Sequence, residues 1–103
     1  MIRRFVRVGP AGVIVAQDTG PGTWGVVRPS AGVFEITFPQ LMTYDMTCFA
    51  TVCDERINEV NSVPRFANVT RLRPEGVIVN TINGNNNSLA WYEFVLEIIG
   101  EPA

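Results

Sequence analysis

Apolar and polar side chains alternate with a period of two along much of the chain, which is the pattern of half-buried β-strands. The longest alternating run covers residues 42–53. Its mainly apolar positions share one face: Met42, Tyr44, Met46, Cys48, Ala50 and Val52. The opposite face is rich in threonine. This pattern predicts one long strand with an apolar inner face and a polar outer face.

Two further segments predict strands with large apolar side chains on one face. Residues 33–38 place three of them together: Phe34, Ile36 and Phe38. Pro39 then ends this strand or confines it to a sheet edge, because proline has no backbone donor. Residues 89–99 also alternate, and a helix is the competing interpretation. Their aromatic and β-branched content and the following Gly100 favour a strand.

Weaker alternation predicts five more strands, at residues 3–8, 12–17, 24–28, 66–72 and 76–82. Turn signals separate them, such as Asn83-Gly84, a dipeptide whose residues both tolerate a positive φ. Seven or eight short strands at this spacing predict an all-β fold, an antiparallel β-sandwich or β-barrel. We expect one domain over residues 1–103. Residues 54–64 lack alternation and predict one helical turn or a long loop.

The composition favours a folded domain that contacts other proteins. Of the 103 residues, 47% are hydrophobic and 17% are charged, against about 25% charged in a typical domain. The apolar share is large enough for the chain to collapse, so disorder is not expected. The low charged share predicts a largely neutral exterior, which suits contacts with other subunits.

The charge balance argues against nucleic acid as a partner. The net charge is −2, and all eight basic residues are arginine. A generic nucleic-acid binder needs a larger basic excess to neutralise phosphates. No apolar run approaches the ~20 residues of a membrane span. A signal peptide requires an uninterrupted apolar segment after its first positive charges, and none follows the first arginines here. We therefore expect synthesis in a cytoplasm and no membrane partner.

The residue types behind most enzymatic chemistry are missing. The chain contains no histidine and no lysine, which removes the commonest general base, the histidine-dependent triads and the Schiff-base amine. No spacing singles out a catalytic pair among the ten carboxylates. Asp54, Glu55 and Glu59 lack the alternating ligands of a calcium loop and predict a solvated acidic loop. We expect no enzymatic activity, no cofactor and no metal site.

The two cysteines are interpreted as small apolar residues. Cys48 and Cys53 are five residues apart, so on one continuous strand they would point to opposite faces. A disulfide between them is therefore not expected. Two cysteines without histidine also cannot complete a tetrahedral zinc site.

Six residues are candidates for contacts with a partner: Arg3, Arg4, Arg7, Trp24, Asn85 and Asn86. The three arginines form either an ordinary exposed edge or an arm that pairs with acidic groups on a neighbour, since arginine makes bidentate contacts well. The tryptophan either packs in a core or subunit interface, or offers a platform for a ligand. The asparagines form either a hydrated hairpin turn or a polar loop tip that touches a partner or a sugar.

Several segments, taken in order, resemble a known group of proteins. They are residues 26–29 (VVRP), 32–39 (GVFEITFP), a strand through Tyr44, 76–81 (GVIVNT), an asparagine-glycine turn and 92–100 (YEFVLEIIG). Together they resemble the small jelly-roll domains of tailed-phage virion proteins: capsid decoration or cement proteins, head fibres and tail-fibre tips. They are also similar to the trimeric sandwiches of the complement-collagen and tumour-necrosis-factor type. The resemblance implies a homotrimer displayed on a virion, and no catalytic residue transfers with it.

Three functions follow from the composition and the resemblance. The first is a capsid decoration or cement protein, which binds the major capsid protein or another virion protein and stabilises the head shell. The second is a tail-fibre or receptor-binding tip, with an aromatic and asparagine-lined groove near Trp24, Asn85 and Asn86. The third is a β-sandwich interaction module unrelated to phages. The first two place the protein in the virion.

Overall fold

The chain folds into two antiparallel β-sheets, as described by a computed structural model for residues 1–53 and 64–103. The strands in these residues are β1 (Ile2–Val8), β2 (Ile14–Gln17), β3 (Gly25–Ser30), β4 (Val33–Thr37), β5 (Thr47–Val52), β6 (Arg65–Val69), β7 (Gly76–Asn83), β8 (Ser88–Leu89) and β9 (Phe94–Gly100). The predicted all-β class is confirmed. The described residues hold more strands than the seven or eight predicted, because the turn after β7 adds the two-residue β8. The predicted helical turn or loop at 54–64 lies outside the described residues, except for Pro64.

The first sheet has the strand order β2–β1–β9–β5, and the second sheet has the order β3–β4–β7–β6. The short β8 also pairs with β7, on the side of β4, because β6 already occupies the other side at the same residues. Hairpins join β1 to β2, β3 to β4 and β6 to β7. The connection from β4 to β5 crosses from the second sheet to the first, and residues 90–93 make a second crossing in the same direction.

One hydrophobic core fills the space between the sheets. Its buried members are Val6, Val8, Trp24, Phe34, Ile36, Phe38, Met42, Met46, Val77, Val79, Phe94, Leu96 and Ile98. The Phe34 ring packs edge-on against Phe94, with 4.7 Å between ring centroids, and against Trp91 at 5.2 Å. Each large side chain stabilises the fold by about 1.5–3 kcal/mol on burial. The predicted inner faces of β4 and of β9 from Phe94 onward are confirmed.

The predicted strand at 42–53 is wrong in its first half. Only Thr47–Val52 forms a strand, and its alternation of outward threonine and inward small residues agrees with the prediction. Residues 42–46 turn instead, and the Met46 N–H donates to the Thr43 carbonyl at 3.4 Å. The turn buries Met42 and Met46 together but leaves Tyr44 74% exposed. The two buried methionines are four residues apart, and residues at this spacing also share one face of a strand. The alternation therefore could not distinguish this turn from a strand.

The segment at 89–99 is not a helix, and its strand begins later than predicted, at Phe94. The turn between β7 and β8 occupies residues 84–87, since Asn83 pairs with Ser88. The left-handed conformation predicted for Asn83-Gly84 occurs instead at Asn87, whose φ is 55°. A Cβ at Gly84 would collide with Phe66 and Pro64, so this glycine permits close packing.

Candidate interaction surfaces

Arg4 is buried and bonded within the chain, and so is not part of an exposed edge. Its Nε donates to Asp18 Oδ2 at 2.6 Å, its Nη1 to Gln40 Oε1 at 2.9 Å and its Nη2 to the Pro21 carbonyl at 3.0 Å. Each of its three nitrogens therefore has an acceptor. Arg4 shares the inward face of β1 with Val6 and Val8, so its position in the alternation already indicated that it points inward.

The Asp18 carboxylate completes this buried ion pair. Burial raises the pKa of the carboxyl, but the hydrogen bond from Arg4, the backbone N–H of Phe5 and the charge of Arg4 outweigh it and hold the pKa below its usual value. The Phe5 N–H donates to Oδ2 at 3.1 Å. The pair fastens the loop between β2 and β3 to the first strand, so its role is structural.

Trp24 is also buried, with only 4% of its surface exposed. Its ring packs edge-on against Phe38, with 6.1 Å between centroids. Gly25, the residue after Trp24, pairs with Thr37, which in turn pairs with Gly76 at the start of β7. Asn85 lies beyond the other end of β7. Eight residues of strand separate the two ends by roughly 25 Å. The predicted groove of Trp24 with the two asparagines does not form.

Asn85 and Asn86 lie exposed on the turn between β7 and β8. The Asn86 Oδ1 accepts hydrogen bonds from the Ser88 N–H at 3.1 Å and from its hydroxyl at 2.6 Å. The Asn83 Oδ1 likewise accepts from the Asn85 N–H at 2.9 Å. These bonds shape the turn, and the side chains of Asn85 and Asn86 stay exposed.

The outer face of the first sheet carries Arg3 and Arg7 among paired charges and threonines. The Arg3 Nε lies 3.8 Å from Glu97 Oε2, and the Arg7 Nε donates to Glu93 Oε2 at 2.7 Å. Across β1, β9 and β5 the outward rows are Arg3–Ile99–Thr47, Phe5–Glu97–Phe49 and Arg7–Val95–Thr51. The arginines of this face therefore already have acidic neighbours inside the same chain.

Three consecutive residues between β8 and β9 are each held by an arginine from a different strand. The pairs are Arg28 over the Trp91 ring (4.6 Å to the centroid), Arg65 over the Tyr92 ring (5.0 Å) and Arg7 with Glu93. Each cation–π contact contributes about 0.5–1 kcal/mol at a partly exposed site. The sequence could not indicate these three contacts, because the three arginines are far apart along the chain.

The outer face of the second sheet is mostly apolar. Its cross-strand rows are Phe66–Ile82–Leu89, Asn68–Asn80–Val33–Ser30 and Ile78–Glu35–Val27. Phe66 is 55% exposed and Val27 is 58% exposed. Glu35 is the one charged side chain in these rows. The row of Phe66, Ile82 and Leu89 is apolar throughout, and exposed apolar surface of this kind marks interaction sites.

A shallow depression of ≈ 210 Å³ lies at one end of this face. Its floor is Gly76 and Ile78, its β4 wall is Glu35 and Thr37, and its other wall includes Arg71, Arg73 and Glu75. A Cβ at Gly76 would collide with the Ile36 carbonyl oxygen, so the glycine both permits the strand pairing and leaves the depression open. Groups of both charge signs line it.

Burial raises the pKa of the Cys48 thiol to about 11, so this thiol stays protonated and is a poor nucleophile at neutral pH. Within residues 1–53 and 64–103, no three histidine, cysteine or acidic side chains cluster as a metal site would require. The same residues contain no helix with the length and apolarity to cross a membrane.

Comparison with protein-family models, with curated proteins and with solved structures finds no match to this chain.

Proposed function

We propose that the chain is a structural protein of a tailed-phage virion, namely a decoration or cement protein. As a homotrimer, this protein binds the head shell and stabilises the shell. The observation that carries this proposal is the apolar outer face of the second sheet. A face with exposed Phe66, Val27 and Leu89, and with Glu35 as the one charged side chain of its strand rows, suits burial against another protein. The same rows offer no arrangement of acids, bases or nucleophiles for turnover.

The strand order supports the jelly-roll part of the proposal. The terminal strands β1 and β9 pair with each other, and so do β4 and β7. The middle strands then fold back, β5 onto β9 and β6 onto β7. Pairing of strands from the two ends of the chain, in two antiparallel sheets, is a feature that jelly rolls share. Display on a shell also suits a domain with a small core, because contacts with neighbours add to its stability.

Binding to phage heads tests the proposal. Purified protein is mixed with expanded empty heads and with unexpanded heads of the phage that encodes it, and both are sedimented. We expect stoichiometric binding to the expanded heads and greater resistance of those heads to heat. If the protein stays in the supernatant with both kinds of head, the decoration role is wrong.

A receptor-binding tip is the second candidate, and the turn between β7 and β8 favours it. Asn85 and Asn86 are exposed there, and the half-buried Trp91 and Tyr92 lie at the same end of the molecule. Exposed asparagine amides at an end that also carries aromatic side chains suit a sugar ligand. Binding to a glycan array that is lost in the Asn85→Ala/Asn86→Ala double variant would favour this function over decoration.

A further inference from the structure

The outer face of the second sheet carries a charge pattern that complements itself. Glu35 lies on β4 and Arg71 follows β6, so the two side chains line the depression over Gly76 from opposite sides of β7. The Thr70 N–H donates to the Ile78 carbonyl at 2.7 Å, and Ile78 is in register with Glu35. Arg71 is therefore within one residue of the level of Glu35. Both are exposed, and neither forms an ion pair among the described residues.

A rotation axis parallel to β7 would place the β6 side of one copy beside the β4 side of the next. This holds for a twofold and for a threefold axis. Arg71 of one copy then meets Glu35 of its neighbour, and Phe66 meets Leu89 in the row at Ile82. The outward residues of β7 meet their own equivalents near the axis: Ile78, Asn80 and Ile82. The rows at Ile78 and Ile82 thus bring Glu35 opposite Arg71 and Phe66 opposite Leu89, while in the row at Asn80 the polar Asn68 meets Val33.

We propose that copies of this chain pack through the outer face of the second sheet about an axis parallel to β7, with Glu35 of one copy opposite Arg71 of the next. This deepens the proposed function and rests on it for the role of the oligomer. The partner is a second copy because the face matches its own charge pattern. An unrelated partner would have no reason to reproduce that pattern.

The backbone at Arg71 is a second observation that points the same way. Its φ is 40°, in the left-handed region where glycine and asparagine are common and long side chains are not. Residues held in such conformations are often retained for function. An arginine here has no ion-pair partner inside the described part of its own copy, so a partner on the neighbouring copy explains why it stands at this position.

The size of the face sets how strongly copies should associate. Four strands about 4.8 Å apart and about six residues long cover roughly 400 Å². A stable complex buries about 800 Å² on each partner. The oligomer is therefore expected to form at high concentration in solution and to be completed on the shell, where contacts act together.

Molar mass measured by light scattering and sedimentation from micromolar to near-millimolar concentration tests the interface. The unmodified chain should rise from monomer towards dimer or trimer. Glu35→Arg and Arg71→Glu should each weaken association about tenfold or more, which is about 1.4 kcal/mol. The double variant Glu35→Arg/Arg71→Glu should recover it. Glu97→Arg, on the outer face of the first sheet, is the matched control and should leave the mass curve unchanged.

Three results would overturn the interface. They are a monomer at every concentration, single variants that associate like the unmodified chain, and a double variant that does not recover. Circular dichroism confirms that each variant is folded. The head-binding assay keeps the two proposals apart. Oligomers that are sensitive to the charge variants but do not bind heads would support the interface and rule out the decoration role. Head binding with a mass curve that the charge variants do not change would support the decoration role and rule out the interface.

Discussion

The outer faces of the two sheets have the same pleat and cover the same core, yet they present different chemistry to their surroundings. On the first sheet, Arg3 lies beside Glu97 and Arg7 beside Glu93, and threonines alternate along β5. On the second sheet, Glu35 is the single charge in three rows of side chains. Burial in the core cannot explain this difference, because neither face is turned towards the core.

The contrast lies in the ionic groups rather than in the aromatic ones. The first face also exposes Phe5 and Phe49, but they flank Glu97 in one row, so a charge interrupts the apolar surface. On the second face, Phe66, Ile82 and Leu89 adjoin without interruption. Each Å² of apolar surface left in water costs about 25 cal/mol. Covering the second face therefore buries apolar surface without also burying ion pairs such as Arg3–Glu97, which covering the first face would do.

The largest expected effect is the loss of stability from a substitution on the core-facing side of the second sheet, compared with one on its outer side. Ile36 points into the core and is 2% exposed. Ile36→Asp buries an unpaired charge, and the expected loss of about 4–5 kcal/mol or more removes most of the stability of a domain at the lower end of the usual range of about 5–15 kcal/mol. Circular dichroism should show an unfolded chain. The control Thr37→Asp, one residue on and outward, should cost about 1 kcal/mol or less. A folded Ile36→Asp protein would contradict the assignment of faces.

A smaller loss of stability is expected from breaking the buried ion pair, and a still smaller one from breaking an exposed ion pair of the first sheet. Arg4→Met leaves the Asp18 carboxylate partly buried without its partner, and we expect a loss of about 3 kcal/mol in the free energy of unfolding. Arg3→Met removes an exposed pair and should cost less than about 1 kcal/mol. Urea denaturation measures both. Equal losses would show that Arg4 is no more important than a surface arginine.

The strands were predictable from sequence wherever one face is apolar and the other polar. On β4, β5 and β9 the alternation identified both the strand and its inner face. It failed at residues 42–46, because the Met42 N–H bonds to the Pro74 carbonyl and the Thr43 N–H to the Glu101 carbonyl. These partners lie far along the chain, and the alternation of side chains carries no information about them.

The candidate site was harder to predict because it depends on which strands are neighbours. Val77 and Val79 face the core while Ile78 and Ile82 face outward, so β7 is apolar on both sides and its sequence does not reveal an exposed face. Joining Phe66 to Leu89 requires the order of β6, β7 and β8. Arg4 is different, since its place in the alternation with Val6 did indicate its burial.

The pH dependence of stability should reveal the contribution of the buried Arg4–Asp18 ion pair. The pKa of Asp18 is lowered in the folded state, so its contribution is complete above the unfolded-state value of 3.8 and is lost as the pH falls below that value through the folded pKa. Thermal melting between pH 6 and pH 2 should therefore show a steeper acid loss in the unmodified chain than in Asp18→Asn. Parallel curves would mean that the Arg4–Asp18 pair does not couple folding to protonation.

The smallest expected effect concerns Arg71 and has the opposite sign. A left-handed backbone costs a non-glycine residue about 1–2 kcal/mol, and glycine adds about 0.5–1 kcal/mol of unfolded-state entropy. Arg71→Gly should therefore raise the free energy of unfolding of the monomer by about 0.5–1 kcal/mol. Arg73→Gly, where φ is not positive, should lower it by a similar amount. Chemical denaturation at low concentration measures both variants. If Arg71→Gly stabilises the monomer while weakening self-association, this arginine is kept for the outer face of the second sheet and not for the fold. If it destabilises the monomer, the arginine supports the fold and the strained backbone no longer argues for an interface.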